Sequence, residues 1–281
     1  MQLQFLLAGF VFLTALSHTT IAETVTFSQF KHGFVLDNQT YDNGDGDVFH
    51  GIPGATISVY KFGSNNNLVS TLGVIFDSRE LNTQDPDLED PFVNGNTAKD
   101  GFGNMLIVQE GDNLSVTNGV LDGEPDDQGP RPSGLIIVEF NNPITSVGFD
   151  IIDIENDNDA KDSGILAAND VNDILNYDFG TTNDAMLKTF NEMQANGNPQ
   201  GLQFGNRSAN RIAPLSATDF GLASGSSFST IAFYFNDSGA IDNIVTTASA
   251  SAVPEPASWL LLCIGGGFCV WRRRACPGKA A

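Results

Sequence analysis

The sequence predicts an all-β fold: an antiparallel two-sheet sandwich, jelly-roll-like, with one short helix and a short transmembrane helix at the C-terminus. Three observations support it. Short apolar runs recur at roughly 8–12-residue spacing between turns rich in Gly, Asn, Asp and Pro. No regular strand–helix alternation separates them, which argues against a parallel doubly wound sheet. The chain holds 21 phenylalanines, most of them between the terminal segments, and these supply the buried area that a sandwich without disulfides needs.

The elements follow in order. Thr56–Lys61 alternates, with Ile57 and Val59 on one face. Leu72–Phe76, Met105–Val108 and Leu135–Phe140 are compact apolar runs of strand length, and Ser146–Ile154 is another. Phe228–Phe235 sets Ile231, Phe233 and Phe235 on one side, and Ile241–Thr246 closes the series. The helix is expected over Asp184–Ala195. Asn183 can cap it, Met186, Leu187, Phe190 and Met193 share a face, and Gly197 can end it.

Both termini are addresses. Residues 1–22 have an apolar stretch, Leu3–Leu16, and a small residue at Ala22, as in a secretory signal peptide cleaved near there. The segment before Leu3 has no Lys or Arg, a departure from that pattern. Residues 23–252 form the expected extracellular domain. At 253–281 come Pro254-Glu255-Pro256, the uncharged stretch 257–271, and Arg272-Arg273-Arg274. Fifteen helical residues span about 22 Å, short against a bilayer core of about 30 Å. The arginines are expected to stay cytoplasmic, which places the domain outside. Pro254 and Pro256 keep the preceding segment extended and accessible, as suits a processing site.

This tail resembles a PEP-CTERM sorting signal. The resemblance implies export, transient retention in the inner membrane, tail removal by an exosortase-type enzyme, and release to the cell surface or extracellular matrix. A second resemblance covers about 76–245. Ile75-Phe76-Asp77, Asp85-x-Asp87-Leu88, Asn104–Glu110, Pro125-Asp126-Asp127, Phe149–Glu155, Phe204–Ile212 and Ser238–Val245 follow one another. That order is similar to an extracellular β-sandwich domain of PEP-CTERM and other bacterial surface proteins, and it implies no particular activity.

Charge and absences narrow the chemistry. With Glu255 and the four tail bases set aside, the domain holds 33 acidic and 9 basic residues, net −24. Such a charge opposes binding to nucleic acid or anionic membrane. Cys263, Cys269, Cys276, Trp259 and Trp271 all lie in the tail, and only His32 and His50 remain in the domain. The domain therefore lacks thiolate or multi-histidine metal sites and has few general bases. It also lacks a G-x-S-x-G elbow, an H-E-x-x-H pair and a Gly-Lys phosphate loop. The expectation is a protein that is not an enzyme.

The acidic clusters remain. Calcium accepts six to eight oxygens without strict geometry, and Asp/Asn/Gly-rich loops suit it. The candidate ligands are Asp77, Asp85, Asp87, Asp126, Asp153, Glu155 and Asp242, with Asp42, Asp45 and Asp47 in a further Gly-rich turn. Asp242 resembles the aspartate that binds a structural cation in many jelly-roll modules. The same residues also read as turn formers and solvated charge. Asp153 and Glu155 could act as acid and base in a glycoside hydrolase or lyase. At i and i+2 of a strand, however, they would sit only about 7 Å apart on one face. Arg207 and Arg211 are expected to tie loops through carboxylates. A carbohydrate-binding module for exopolysaccharide is the alternative function. With no Trp and only Tyr41, Tyr60, Tyr177 and Tyr234, the domain is poorly equipped for aromatic stacking on sugars.

Overall fold

The longest element is a single strand of 19 residues, Gly134–Ile152, where the sequence predicts two strands and a turn. The intervening Asn141-Asn142-Pro143 is exposed but extended. Its polar groups find partners without turning: Asn141 N–H donates to Gly54 C=O, and Pro143 C=O accepts from Ser249 N–H. Hairpin chemistry therefore loses to long-range pairing here.

The structure is a computed structural model describing residues 22–36, 41–42, 48–49, 52, 54–63, 65–97, 102–111, 115–127, 131–154, 163–179, 187–197 and 200–249. Among these residues the strands begin with β1 (Ala22–Val25), β2 (Tyr41–Asp42), β3 (Val48–Phe49), β4 (Ala55–Phe62), β5 (Leu68–Ser70) and β6 (Gly73–Asp77). Next come β7 (Asn94–Gly95), β8 (Asn104–Val108), β9 (Val116–Thr117), β10 (Val120–Leu121), β11 (Gly134–Ile152) and β12 (Gly164–Ala168). Helix α1 (Val171–Leu175), β13 (Leu187–Thr189), α2 (Phe190–Ala195), β14 (Ser208–Ser216), β15 (Phe228–Phe235) and β16 (Ala240–Ala248) complete the order.

Strand β11 belongs to two layers. Its first half pairs with β4 and β15, and β15 continues to β12 and β13. Its second half pairs with β14 and β16, and β16 continues to β8 and β6. All these pairs are antiparallel, and the short β7 lies parallel to β14. The expected antiparallel sandwich is thus formed, with one strand bent through both sheets by register shifts near Ile144 and Gly148.

Inward residues of both layers meet in one core: Ile57, Val59, Ile136, Val138 and Phe233 from one, Ile75, Leu106, Phe149, Ile212 and Ile241 from the other. Phe149 and Phe233 meet edge to face at 4.8 Å, a geometry worth about 1 kcal/mol beyond area burial. The outer faces are covered too. Leu135, Ile137 and Tyr234 pack with Phe62 and Ile174. Phe76, Met105 and Ile107 pack with Leu88, Phe92 and Leu121. This double coverage explains why β8 is buried at every residue, and why its sequence is a continuous apolar run.

Other expectations need correction. Helix α2 starts at Phe190, capped by Thr189 and Glu192 in a reciprocal capping box. Leu187 is drawn into β13 by pairing with β12, while Asn183 and Met186 lie outside the described residues. Strands β12 and β14 were not legible: GILAA does not alternate, and SANRIAPLS contains Pro214. Residues 1–21 and the tail 253–281, including the 257–271 span, are outside the described residues. Among those described, no helix is long and apolar enough to cross a membrane.

Candidate cation site

One group of carboxylates is assembled from three loops, with a fourth supplying hydrogen-bond donors. Asp153 follows the last residue of β11 and takes a left-handed conformation, φ 57°, which Asp tolerates better than most residues. Its N–H donates to Ser208 C=O at 2.7 Å. Its Oδ1 accepts from the Arg207 N–H at 2.8 Å, and its Oδ2 accepts from the Ser238 hydroxyl at 2.7 Å. In the turn between β15 and β16, Gly239 N–H donates to Asp127 Oδ2 at 2.7 Å. A Cβ on Gly239 would sit 2.5 Å from the Phe235 ring, at φ +157°. Glycine is therefore what lets this turn close over Asp127.

Asp85 completes the group. It precedes a 3-10 turn, Pro86–Leu88, on a segment anchored by Leu88 and Phe92 in the outer cluster. Asp85 is 0% exposed, Asp127 and Asp153 1% each. No donor reaches either oxygen of Asp85 or Oδ1 of Asp127. Burying polar oxygens in this way is costly unless something compensates them.

The electrostatics agree. Burial pushes the Asp127 carboxyl well above the ordinary carboxylate range, and the adjoining Asp85, within hydrogen-bond reach, pushes it further, as does Asp153. Burial raises Asp153 to about 7, against the stabilising bonds from Ser238 and Arg207. Asp87 is half-buried and raised by burial and by Asp85, while Asn206 donates to its Oδ2 at 3.0 Å. Among the described residues no Lys, Arg or His forms an ion pair with Asp85 or Asp127. Arg207 is close by, yet its guanidinium donates to Glu89 C=O and Pro91 C=O.

The other predicted ligands stand elsewhere. Asp77 is gripped bidentately by Arg79, with 2.7 Å bonds to both oxygens. Burial works against its ionised form, but the Arg79 bonds hold its carboxyl below the usual range. Asp126, next to Asp127, faces Glu110, whose carboxyl burial raises to about 7 with Asp126 and Asp237 adding to it. Asp242 lies on β16 opposite Asp150. Burial raises it to about 7, and Asp150 adds to the effect. Glu155, Asp45, Asp47 and His50 are outside the described residues. His32 Nδ1 accepts from the Asp77 N–H at 3.1 Å, a structural bond.

Sequence reading passed over Asp150 and ranked Asp126 ahead of Asp127. Asp150 is 0% exposed and sits directly opposite Arg211 on β14. Arg211 donates to it through Nε at 2.7 Å and Nη2 at 2.6 Å, and Asn243 Nδ2 donates at 2.8 Å. The available signal was an aspartate inside the apolar run FDIIDI. For Asp127 no local signal separates it from its neighbour.

Chemically, the Asp85–Asp127 pair can share a proton or an ion. No three His, Cys, Asp or Glu side chains among the described residues stand as a ready-made metal cage, so an ion would need main-chain oxygens or water to complete its shell. All three acids are sealed from solvent, which a catalytic pair acting on a polymer could not be.

Comparison with known proteins adds one assignment. Residues 252–274 match the PEP-CTERM protein-sorting motif. Among curated proteins, none matches the chain. Among solved structures, the K2 cleaved adhesin domain of Lys-gingipain is similar at 13% identity and a TM-score of 0.31, covering 81% of this chain and 99% of that one. At that score the likeness transfers neither fold detail nor activity. The sandwich is therefore followed by a PEP-CTERM sorting signal, which implies an exported protein processed through exosortase.

Proposed function

We propose that the chain is a non-enzymatic, calcium-stabilised component of the cell surface or extracellular matrix. The observation that carries this reading is that three neighbouring carboxylates from different loops, Asp85, Asp127 and Asp153, are sealed inside the domain, with both oxygens of Asp85 and one of Asp127 lacking a donor. Buried acids without compensating bases suit a structural ion and not substrate turnover. The sorting motif at 252–274 supplies the destination.

Fractionation of the producing cells tests the destination. The surface form should lack the C-terminal segment, and alanines at Pro254, Glu255 and Pro256 should trap the full-length chain in the membrane. Trp271–Ala281 intact on the extracellular protein would overturn it in favour of a permanent anchor.

A second reading, binding of exopolysaccharide, is favoured by one feature that the sequence disguised. Tyr60, Phe62, Tyr177 and Phe179 converge with Asn66 and Asp178 on a cleft of about 420 Å³. That volume is within the range of small-ligand sites. Tyr177 and Phe62 meet Phe179 edge to face at 4.9 and 5.4 Å. Aromatic rings beside an amide and a carboxylate suit a neutral saccharide, and the net charge opposes a polyanion. Calorimetric titration with neutral oligosaccharides tests it: binding lost in Tyr177→Ala supports the cleft, and no heat from any of them rejects it.

A further inference from the structure

We infer that Asp85 and Asp127 are the paired anionic ligands of one structural calcium ion, with Asp153 held beside them as the third carboxylate of the group. The inference deepens the calcium-stabilised reading and rests on it. Asp85 is 0% exposed and both its oxygens lack a donor, and Asp127 Oδ1 lacks one as well. Three bare carboxylate oxygens thus meet in one dry region. Two buried carboxylates in contact repel unless a proton or a cation stands between them. Among the described residues no basic side chain does so, because the nearby Arg207 guanidinium donates to the Glu89 and Pro91 carbonyls.

The manner in which the acids are held points the same way. Gly239 N–H fixes one oxygen of Asp127 and leaves the other bare, while Arg207 N–H and the Ser238 hydroxyl fix Asp153. Asp85 is the only one of the three whose carboxyl accepts from no N–H or hydroxyl. It is the member able to shift onto an ion, on a segment secured at Leu88 and Phe92.

Oxygen-only ligands and irregular loops select a hard cation of flexible coordination, which is calcium. Structural zinc sites are built mainly from Cys and His, and magnesium demands a near-ideal octahedron. Such an ion would join four segments: the 85 loop, the 127 loop, the end of β11 and the 236–239 turn. The remaining ligands would be main-chain oxygens and water.

The test uses the full chain in detergent at pH 7.5, with calcium, with a chelator, and with sodium chloride at matched ionic strength. Equilibrium dialysis should find a calcium ion that Asp85→Asn and Asp127→Asn each bind at least tenfold more weakly. Asp77→Asn, at a carboxylate already paired with Arg79, should bind as the wild type does. In chelator, Asp85→Asn should melt above the wild type, because it removes repulsion and keeps the shape. If calcium neither binds nor raises the melting temperature of the wild type, the site and the calcium reading both fall. If calcium stabilises all three variants as it does the wild type, the site is wrong and the calcium reading survives.

Discussion

Two buried aspartate centres in this sandwich solve the same problem differently. At Asp150 the counter-charge is built into the chain: Arg211, directly across on the neighbouring strand, forks onto both carboxylate oxygens, and Asn243 adds a third bond. At Asp85 and Asp127 the acids meet each other, and among the described residues no base forms an ion pair with them. The first arrangement is fixed by strand register and needs no dissolved ion. The second joins loops, and on the proposed reading it takes its counter-charge from solution. An arginine on a strand can serve one register; a loop cluster can recruit an ion of suitable radius and leave the loops to adapt.

The largest expected effect breaks the self-contained centre. Arg211→Met strands Asp150 as an unpaired buried charge, and the loss should be about 3–5 kcal/mol, read as a drop in denaturation midpoint. Arg211→Lys should recover only part of it, since an ammonium cannot fork onto two oxygens. A loss below about 1 kcal/mol for Arg211→Met would mean that the pair adds little to the fold.

Next comes pH. Asp242 faces Asp150 across the strand pair and lies near Arg211, and its carboxyl is raised to about 7. The folded state holds this proton longer than the unfolded chain does. The associated stability is full below the ordinary carboxylate pKa of about 4 and is lost as pH rises to about 7. Stability should therefore fall between pH 4.5 and 7.5 by on the order of 3 kcal/mol for this group, read as a falling melting temperature. Asp242→Asn should flatten part of that slope, and Glu110, also raised to about 7, should account for more of it. An unchanged slope in Asp242→Asn would sink the assignment.

Calcium should separate the two centres. At a hundredfold excess over its dissociation constant it should add about 2.7 kcal/mol. Arg211→Met should keep that increment in full, because its defect lies at the other centre; loss of the increment there would show that the two centres are coupled. The smallest effect is expected from Ser238→Ala, which removes one donor from Asp153 and should cost about 1 kcal/mol by chemical denaturation.

Much of the fold was legible where local chemistry decides it. Thr56–Lys61 became part of β4 with Ile57 and Val59 buried, as alternation required. Phe228–Phe235 became β15 residue for residue. Local rules failed where distant partners override them. Asn141-Asn142-Pro143 stays extended because Gly54 and Ser249 take its backbone bonds. Leu187 leaves the expected helix for β12. The candidate site was legible in kind and not in membership. Asp85 and Asp153 were singled out from their loops, yet Asp127 could not be told from Asp126, and the Tyr60 and Tyr177 cleft was invisible across more than a hundred residues of chain.

By itself the sequence determined the sorting address at the C-terminus, the all-β character, and a stock of candidate ligands dominated by oxygen, since the domain contains no cysteine and only two histidines. Those properties follow from composition and contiguous pattern. Only the tertiary structure decided which of the many aspartates meets an arginine and which meets another aspartate. The reason is physical: the energy of a buried carboxylate depends on the few groups within several ångströms of it, and here those groups come from loops and strands far apart along the chain.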